Sequence, residues 1–386
     1  MKPLLILEGR MRFGALTVVL PNGRSIRVTG RSPGRTGEIR LNRWRAVRRV
    51  LAAGGIGFGE GYMDGDWDSP DLPALIETLA ANLPKNKGLV RRLSPLRLAN
   101  RLRHLCRPNS RNGAARNIAA HYDLGNDFYA LWLDPTMTYS AAVFSGGAID
   151  LESAQREKYR RLLDLIDPRP GDRILEVGCG WGGFAIQAAQ ERDVYVTAIT
   201  ISRAQFEEAQ RRVAAAGVGD RVDVQLRDYR DLDGTYDHAV SIEMIEAVGE
   251  HYWRDYFARV AASIRSGGRF ALQAIVINDE RFEGYRRSAD FIQKHVFPGG
   301  LLPSPKAMRR EAAAAGFDWH SHDTYGIDYA ETLARWRDGF DAAAERVHDM
   351  GFDERFRRCW TFYLAYCEGG FRAGNIDALQ VAFTRR

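Results

Sequence analysis

"DRILEVGCGWGGFAIQAAQ", residues 172–190, is the stretch that decides the fold. Its first six residues make an apolar run of the kind found in strands buried on both faces. Gly178, Gly180 and Gly183 then lead into an apolar-patterned helix. A strand that turns through glycines into a helix opens an α/β unit, and ligands bind at that turn. The alternation continues downstream. "VYVTAI" (194–199), "RVDVQL" (221–226), "HAVSI" (238–242) and "RFALQAIVI" (269–277) read as further strands. Helices fall between them over "SRAQFEEAQRRVAAAG" (202–217), with Ser202 as N-cap, and over "HYWRDYFARVAASIRSGG" (251–268). The pattern predicts a mainly parallel α/β sheet with its ligand at the carboxyl edge.

Composition bounds what surrounds this sheet. At 386 residues, 45% hydrophobic and 27% charged, the chain is a folded globular protein long enough for two domains. Cys106, Cys179, Cys359 and Cys367 show no CxxC spacing, so neither a zinc site nor a disulfide framework is expected, and a reducing cytoplasm is. The first apolar run meets Glu8 and Arg10 too soon for a signal peptide, and no run approaches a membrane span.

The net charge of +6 is unevenly placed. Residues 84–117 hold ten Lys or Arg and no acid, with Leu93, Leu96, Leu102 and Leu105 at helical intervals. Two readings stay open: an amphipathic basic helix lying on an anionic membrane surface, and a solvated interdomain linker. Nucleic acid is disfavoured, since the stretch lacks aromatics for stacking on bases. This segment divides the chain into a small α+β domain (1–83), the basic linker (84–117) and the α/β domain (118–386). In the first, "GALTVVL" and "SIRVTG" are strands around the turn "PNGR", followed by a helix near "RWRAVRRVLAAG" and another capped by Ser69 or Asp71.

The glycine turn satisfies G-x-G-x-x-G, which alone suggests a dinucleotide. The acid expected about 20 residues on, to hold ribose hydroxyls, is absent from "AITIS". Instead Glu176 stands directly before the glycines and Trp181 stands within the turn. "LEVGCGWG" resembles the nucleotide loop of the class I S-adenosylmethionine (SAM) methyltransferases.

Seven further segments, "HYDLGNDFYALWLDPTMTYSAAVF" (121–144), "TISRAQ" (200–205), "RDYRD" (227–231), "MIEAVG" (244–249), "FIQKHVFPGGLLPS" (291–304), "YLAYCEGGFRAGNID" (363–377) and "LQVAFTR" (379–385), occur together and in order. They resemble the cyclopropane-fatty-acyl-phospholipid synthases and their mycolic-acid methyltransferase relatives over residues 110–386. The N-terminal domain looks like the small lipid-handling domain of the longer bacterial members. The resemblance implies a class I methyltransferase, Rossmann-like in fold, that takes an unsaturated phospholipid acyl chain and methylates its double bond. It implies a peripheral enzyme at the inner face of the membrane, and leaves a homodimer open. Two other classes stay open beside it: a non-catalytic lipid-binding protein and a methyltransferase of a soluble small molecule.

By the family's pattern SAM contacts fall on Tyr139 and Ser140, on the loop Glu176, Gly178, Cys179, Gly180, Trp181 and Gly182, and on Thr200, Ser202 and Gln205. Asp228, Tyr229 and Arg230 flank the adenine. Ser202 also reads as a plain helix cap. Carbocation chemistry asks for a dry site with aromatic faces, for which Phe128, Tyr129, Trp132, Phe144, Tyr329 and Trp336 are candidates.

The base is where this chain departs from the family. The synthases hold bicarbonate with a cysteine, a glutamate, a histidine and a tyrosine. Glu246 and Tyr329 match, but Ala141 replaces the cysteine and Gln273 the histidine. Bicarbonate is doubtful on that ground, and so is ring closure. Glu243, where some synthases have glycine, is expected to share a helical turn with Glu246, point into the same cavity and supply the missing carboxylate. A structural acid paired with an arginine or with backbone amides is the other reading. Cys367, matching a cysteine once regarded as a nucleophile, is expected to pack, because methyl transfer to an alkene needs no covalent enzyme intermediate.

Overall fold

The computed structural model describes residues 11–83, 124–144, 147 and 149–386. The basic stretch 84–117, Cys106 and the start of the 121–144 motif lie outside them. The described chain forms two compact units. One comprises residues up to Leu83 together with Glu280–Pro298 and Leu333–Ile376. The other runs from Leu124 to Asp279 and adds Gly299–Thr332 and Asp377–Arg386.

In the first unit the strands β1 (Phe13–Val19), β2 (Ser25–Thr29), β3 (Ser32–Leu41) and β4 (Trp67–Asp68) make a sheet of order β2-β1-β3-β4. The expected turn closes β1 on β2, with Gly23 at φ +79° and the Asn22 side chain accepting the Arg24 N–H at 3.2 Å. β3 was not expected, because "SPGRTGEIRL" has no apolar alternation. It pairs parallel to β1, and Gly37 lets the helix Leu72–Ala81 come close: a Cβ there would stand 2.8 Å from Leu75 Cα. Asp71, of the two candidate caps, accepts the Ala74 N–H at 3.0 Å. The long helix Glu354–Arg372 crosses the same helix at Gly369, where a Cβ would stand 2.6 Å from Ile76 Cγ2 and 2.8 Å from Glu77 N.

The second unit is built on seven strands: β5 (Arg173–Val177), β6 (Tyr195–Thr200), β7 (Val222–Leu226), β8 (His238–Ile242), β9 (Arg269–Ile277), β10 (Phe317–Thr324) and β11 (Ile376–Arg385). Their order is β10-β11-β9-β8-β5-β6-β7. β5 to β9 pair in parallel, and β10 pairs antiparallel with β11. The chain proceeds outward from β5 to β6 and β7, then returns to β8 on the other side of β5. That reversal opens the crevice in which such sheets bind ligands, and the glycine turn leads into it. Helices Leu151–Ile166, Gly183–Glu191 and Arg203–Ala215 contribute Leu162, Phe184, Ala188 and Val213 to the core against Ile174, Val196 and Val240. The helix expected over 251–268 is shorter, a 3₁₀ turn at Glu250–Tyr252 followed by Trp253–Ala262. Among the described residues no helix is long and apolar enough to cross a membrane, and no side-chain cluster could hold a metal.

Glycine-to-alanine in a helix ordinarily stabilises by up to about 1 kcal/mol. At Gly369 the opposing helix reverses the sign, so Gly369→Ala should destabilise by roughly 1–3 kcal/mol. Gly284→Ala, with open space at its Cβ position, should be neutral or stabilising in the same thermal melts.

Candidate active site

The glycine turn is shaped from within. Gly178, Gly180 and Gly182 have φ of +85°, +52° and +84°, and the N–H groups of Gly178 and Cys179 both donate to the Ile199 carbonyl at 3.0 and 2.9 Å. A Cβ on Gly178 would meet the Met244 side chain at 2.9 Å, and one on Gly183 the Tyr159 hydroxyl at 2.7 Å. A Cβ on Gly180 would meet nothing, so the loop presents bare backbone to open space there, as a ligand that approaches closely requires.

The other expected cofactor residues line the same edge. Trp181 Nε1 donates to Asn126 Oδ1 at 2.8 Å, and its ring lies 5.2 Å from that of Tyr129, which in turn lies 5.4 Å from Tyr139. Thr200 Oγ1 donates to Gln205 Oε1 at 2.9 Å, and Ser202 caps its helix by accepting the Gln205 N–H at 3.3 Å. The first of these bonds occupies the Gln205 side-chain carbonyl and leaves its amide N–H₂ as the donor end. The Arg230 guanidinium lies 5.2 Å from the Tyr229 ring and 5.3 Å from Tyr252, while Asp228 accepts the Arg230 N–H at 2.9 Å. Glu176 lies beneath the loop, buried, with Oε2 lacking any partner among the described residues. Burial holds its carboxyl well above the ordinary range, opposed by the Lys158 charge. Burial likewise pushes the Cys179 thiol up. Open volume at Gly180, aromatic faces and neutral hydrogen-bonding groups fit an adenosyl amino-acid ligand such as SAM.

Glu243 sits directly after β8 at φ +50°, a conformation that costs a non-glycine residue about 1–2 kcal/mol. It is not on a helix. Met244 is the N-cap of the short helix Ile245–Val248, so the two acids do not share a helical turn as expected. The Glu243 charge is nonetheless close enough to raise Glu246. The Glu243 carboxylate is a hub. Oε1 accepts the Ala141 N–H and the Gln273 side-chain amide, both at 2.8 Å, and Oε2 accepts the Tyr329 hydroxyl at 2.7 Å. Three of the four positions named for bicarbonate therefore converge on this carboxylate. Glu246, the fourth, accepts the Ile275 N–H on one oxygen and buries the other without a partner among the described residues.

Residues that sequence reasoning missed complete the hub. Gln380 on β11 donates to Gln273 Oε1 at 2.9 Å, which fixes the Gln273 amide with its N–H₂ toward Glu243. Thr332 Oγ1 accepts the Ala142 N–H at 3.1 Å. Lys158, with no exposed surface, donates to Ser140 Oγ at 2.6 Å, and Gln155 donates to the Ser140 carbonyl at 2.9 Å. Lys158 could have been found: it falls on the apolar stripe of its helix, four residues from Ala154 and four from Leu162, where a charge is out of place.

Burial raises Glu243, against its three hydrogen bonds and the Lys158 charge. Burial, then the nearby Glu243 charge, pushes Glu246 up to about 8. Burial lowers Lys158 to about 7, held up chiefly by Glu243. Cys367 and Trp336 belong to the first unit and are not among these residues. Burial beside Asp290 keeps the Cys367 thiol protonated.

A family model described as mycolic acid cyclopropane synthetase matches residues 109–381. Over 378 residues the chain is 41% identical to the tuberculostearic acid methyltransferase of Mycobacterium tuberculosis, covering 92% of this chain and 85% of that one. Over 371 residues it is 36% identical to the cyclopropane-fatty-acyl-phospholipid synthase of Escherichia coli, covering 93% and 90%. A solved mycolic acid cyclopropane synthase complexed with SAH and CTAB matches with a TM-score of 0.65 at 30% identity, over 70% of this chain and 98% of that one.

Because the folded-state value of Glu246 lies above its ordinary 4.5, the neutral form stabilises the fold. That contribution is full below the ordinary value and is lost as pH rises through about 8. Glu246→Gln, which keeps the shape of the neutral acid, should match the wild type in melting temperature at acid pH. At alkaline pH it should exceed it by several degrees.

Proposed function

This chain belongs to the family of cyclopropane-fatty-acyl-phospholipid synthases and mycolic-acid methyltransferases, class I SAM-dependent enzymes. From that premise we propose that it methylates the double bond of an unsaturated acyl chain of membrane lipid, with Glu243 as its base, at the inner face of the membrane. One observation carries the assignment of the base: the Glu243 carboxylate is held by Ala141, Gln273 and Tyr329, where the family resemblance puts holders of a bicarbonate.

When bound, SAM supplies an electrophilic methyl group. Tyr139, Ser140, the loop from Glu176 to Gly182, Thr200 and Gln205 would hold it, with Asp228, Tyr229 and Arg230 beside the adenine. An alkene that has accepted a methyl group carries positive charge on the neighbouring carbon. A proton must then leave. If it leaves the new methyl directly, the C–H electron pair closes a three-membered ring. If a hydride first moves from the methylated carbon to the cationic one, the same loss leaves a C=CH₂ group on the open chain. In either case the proton goes to Glu243, whose negative charge also steadies the cation.

The surrounding groups serve that step. Lys158 balances the buried Glu243 charge, and the Ala141, Gln273 and Tyr329 donors fix the carboxylate's direction. Glu246, protonated near neutrality, adds no second negative charge. Of the two products we take the ring-free one, a methylene-modified chain. The thiol and imidazole that hold bicarbonate in ring-forming relatives are Ala141 and Gln273 here, and the 41% identical relative bears the name of a methyltransferase.

Glu243→Gln should lower turnover by roughly 10²–10⁴-fold, while wild-type turnover should not respond to added bicarbonate. Full activity in the variant, or strong bicarbonate dependence in the wild type, removes Glu243 from the role. Lipids of a host fed methyl-labelled methionine should gain one CH₂ unit, and magnetic resonance of the product should show vinylidene rather than ring protons.

A further inference from the structure

The helix Arg45–Ala53 of the first unit turns Arg45 and Arg49 toward the Asp64 and Asp66 carboxylates and part of its apolar surface outward. Asp66, which has no exposed surface, accepts Arg45 Nε at 2.8 and 2.9 Å and lies 3.4 Å from Arg49 Nη1. Arg49 also pairs with Asp64 at 2.6 Å. These pairs fix the rotation of the helix, because turning it would strand a buried carboxylate. The face left outside carries Trp44, 53% exposed, and Leu51, 66% exposed, with Val50 beside them and Arg48 between. Trp44, Arg48 and Leu51 are four and three residues apart, so they form one stripe. Single exposed hydrophobics are ordinary, but a tryptophan and a leucine sharing a helix stripe form a patch.

The charge around the patch selects its partner. Residues 11–50 contain ten arginines, one glutamate and no lysine or aspartate. Arg24, Arg27, Arg31 and Arg48 are exposed and make no ion pair among the described residues. Arg43, next to Trp44, is exposed as well. A second copy of the chain fits this face poorly, since a self-complementary contact would bring Arg43 and Arg48 of both copies together. An anionic bilayer answers both features. Its headgroups neutralise arginine, and its interface accepts tryptophan and leucine side chains.

We propose that the Trp44–Leu51 stripe docks the protein on anionic membrane, with its side chains entering the headgroup layer and the exposed arginines on lipid phosphates. The proposal rests on the lipid-substrate reading above, but it assigns the contact to folded surface outside the basic stretch 84–117.

Flotation of the full chain with phosphatidylglycerol-containing and with pure phosphatidylcholine vesicles, at low and high salt, tests it. Wild type should float with the anionic vesicles only, and less at high salt. The double variant Trp44→Ser, Leu51→Glu should bind them at least tenfold more weakly, and Arg48→Glu should weaken binding too. Both changes lie at exposed positions, so melting temperatures should stay at the wild-type value, which confirms the fold. Turnover of vesicle lipid should fall with binding, and turnover of detergent-dispersed lipid should not. Undiminished flotation of the double variant overturns the proposal, as does equal binding of wild type to neutral vesicles. A dimer that becomes monomeric in the variant while flotation persists also overturns it, in favour of a self-association face. If the variant loses flotation but the wild type methylates no lipid in either form, the docking surface stands and the lipid-methylating reading fails.

Discussion

A carboxylate buried at the edge of a sheet must be answered on each oxygen, and answering Glu243 takes residues far apart in the chain. Ala141 comes from the segment before the first α/β helix, Gln273 from β9, and Tyr329 from the helix that begins at Gly326. Lys158 stands behind them on a helix of its own. An ionised group left unpaired in such a place costs more than the roughly 1–3 kcal/mol of an unmet neutral one. The positions of these segments are therefore coupled through one functional group. β11 joins them through Gln380, which keeps the Gln273 amide the right way round and also reaches the Lys158 carbonyl.

The glycine-loop edge and the hub meet in one short segment and share support. Ser140 takes the Lys158 ammonium on its hydroxyl and Gln155 on its carbonyl, while its neighbours are Tyr139 on the aromatic cluster and Ala141 on Glu243. Lys158 thus braces the short segment that faces both ways. Glu176, below the glycine loop, feels the same ammonium. Glu243 and Glu176 thus answer one buried ammonium, and the protonation of each bears on the other through it.

What was legible in the sequence followed from periodicity and from chemistry that local spacing can show. The parallel strands read correctly because strands buried on both faces are apolar runs, and Ser202, with either Ser69 or Asp71, read as caps because their position ahead of a helix is a local fact. β3 and β10 were not legible. "SPGRTGEIRL" and "FDWHSHDT" are polar along most of their length and pair only because neighbouring strands present edges to them. Within the site, Glu243 was suspected from a deficit at Ala141 and Gln273. Its left-handed backbone and its lack of a helical turn shared with Glu246 depend on how β8 ends, which no spacing rule reports. Gln380 was invisible for a different reason: a glutamine in an apolar strand shows its partner only once the strand order is known.

The backbone at residue 243 is one that glycine adopts freely and glutamate adopts under strain. Stripped of its side chain, that position would leave three donors aimed at a void of carboxylate size, with a buried ammonium nearby. Such a void is a receptor for a small planar oxyanion. The tethered acid of this chain, and a diffusible anion in a Glu243→Gly variant, would then be two occupants of one electrostatic mould.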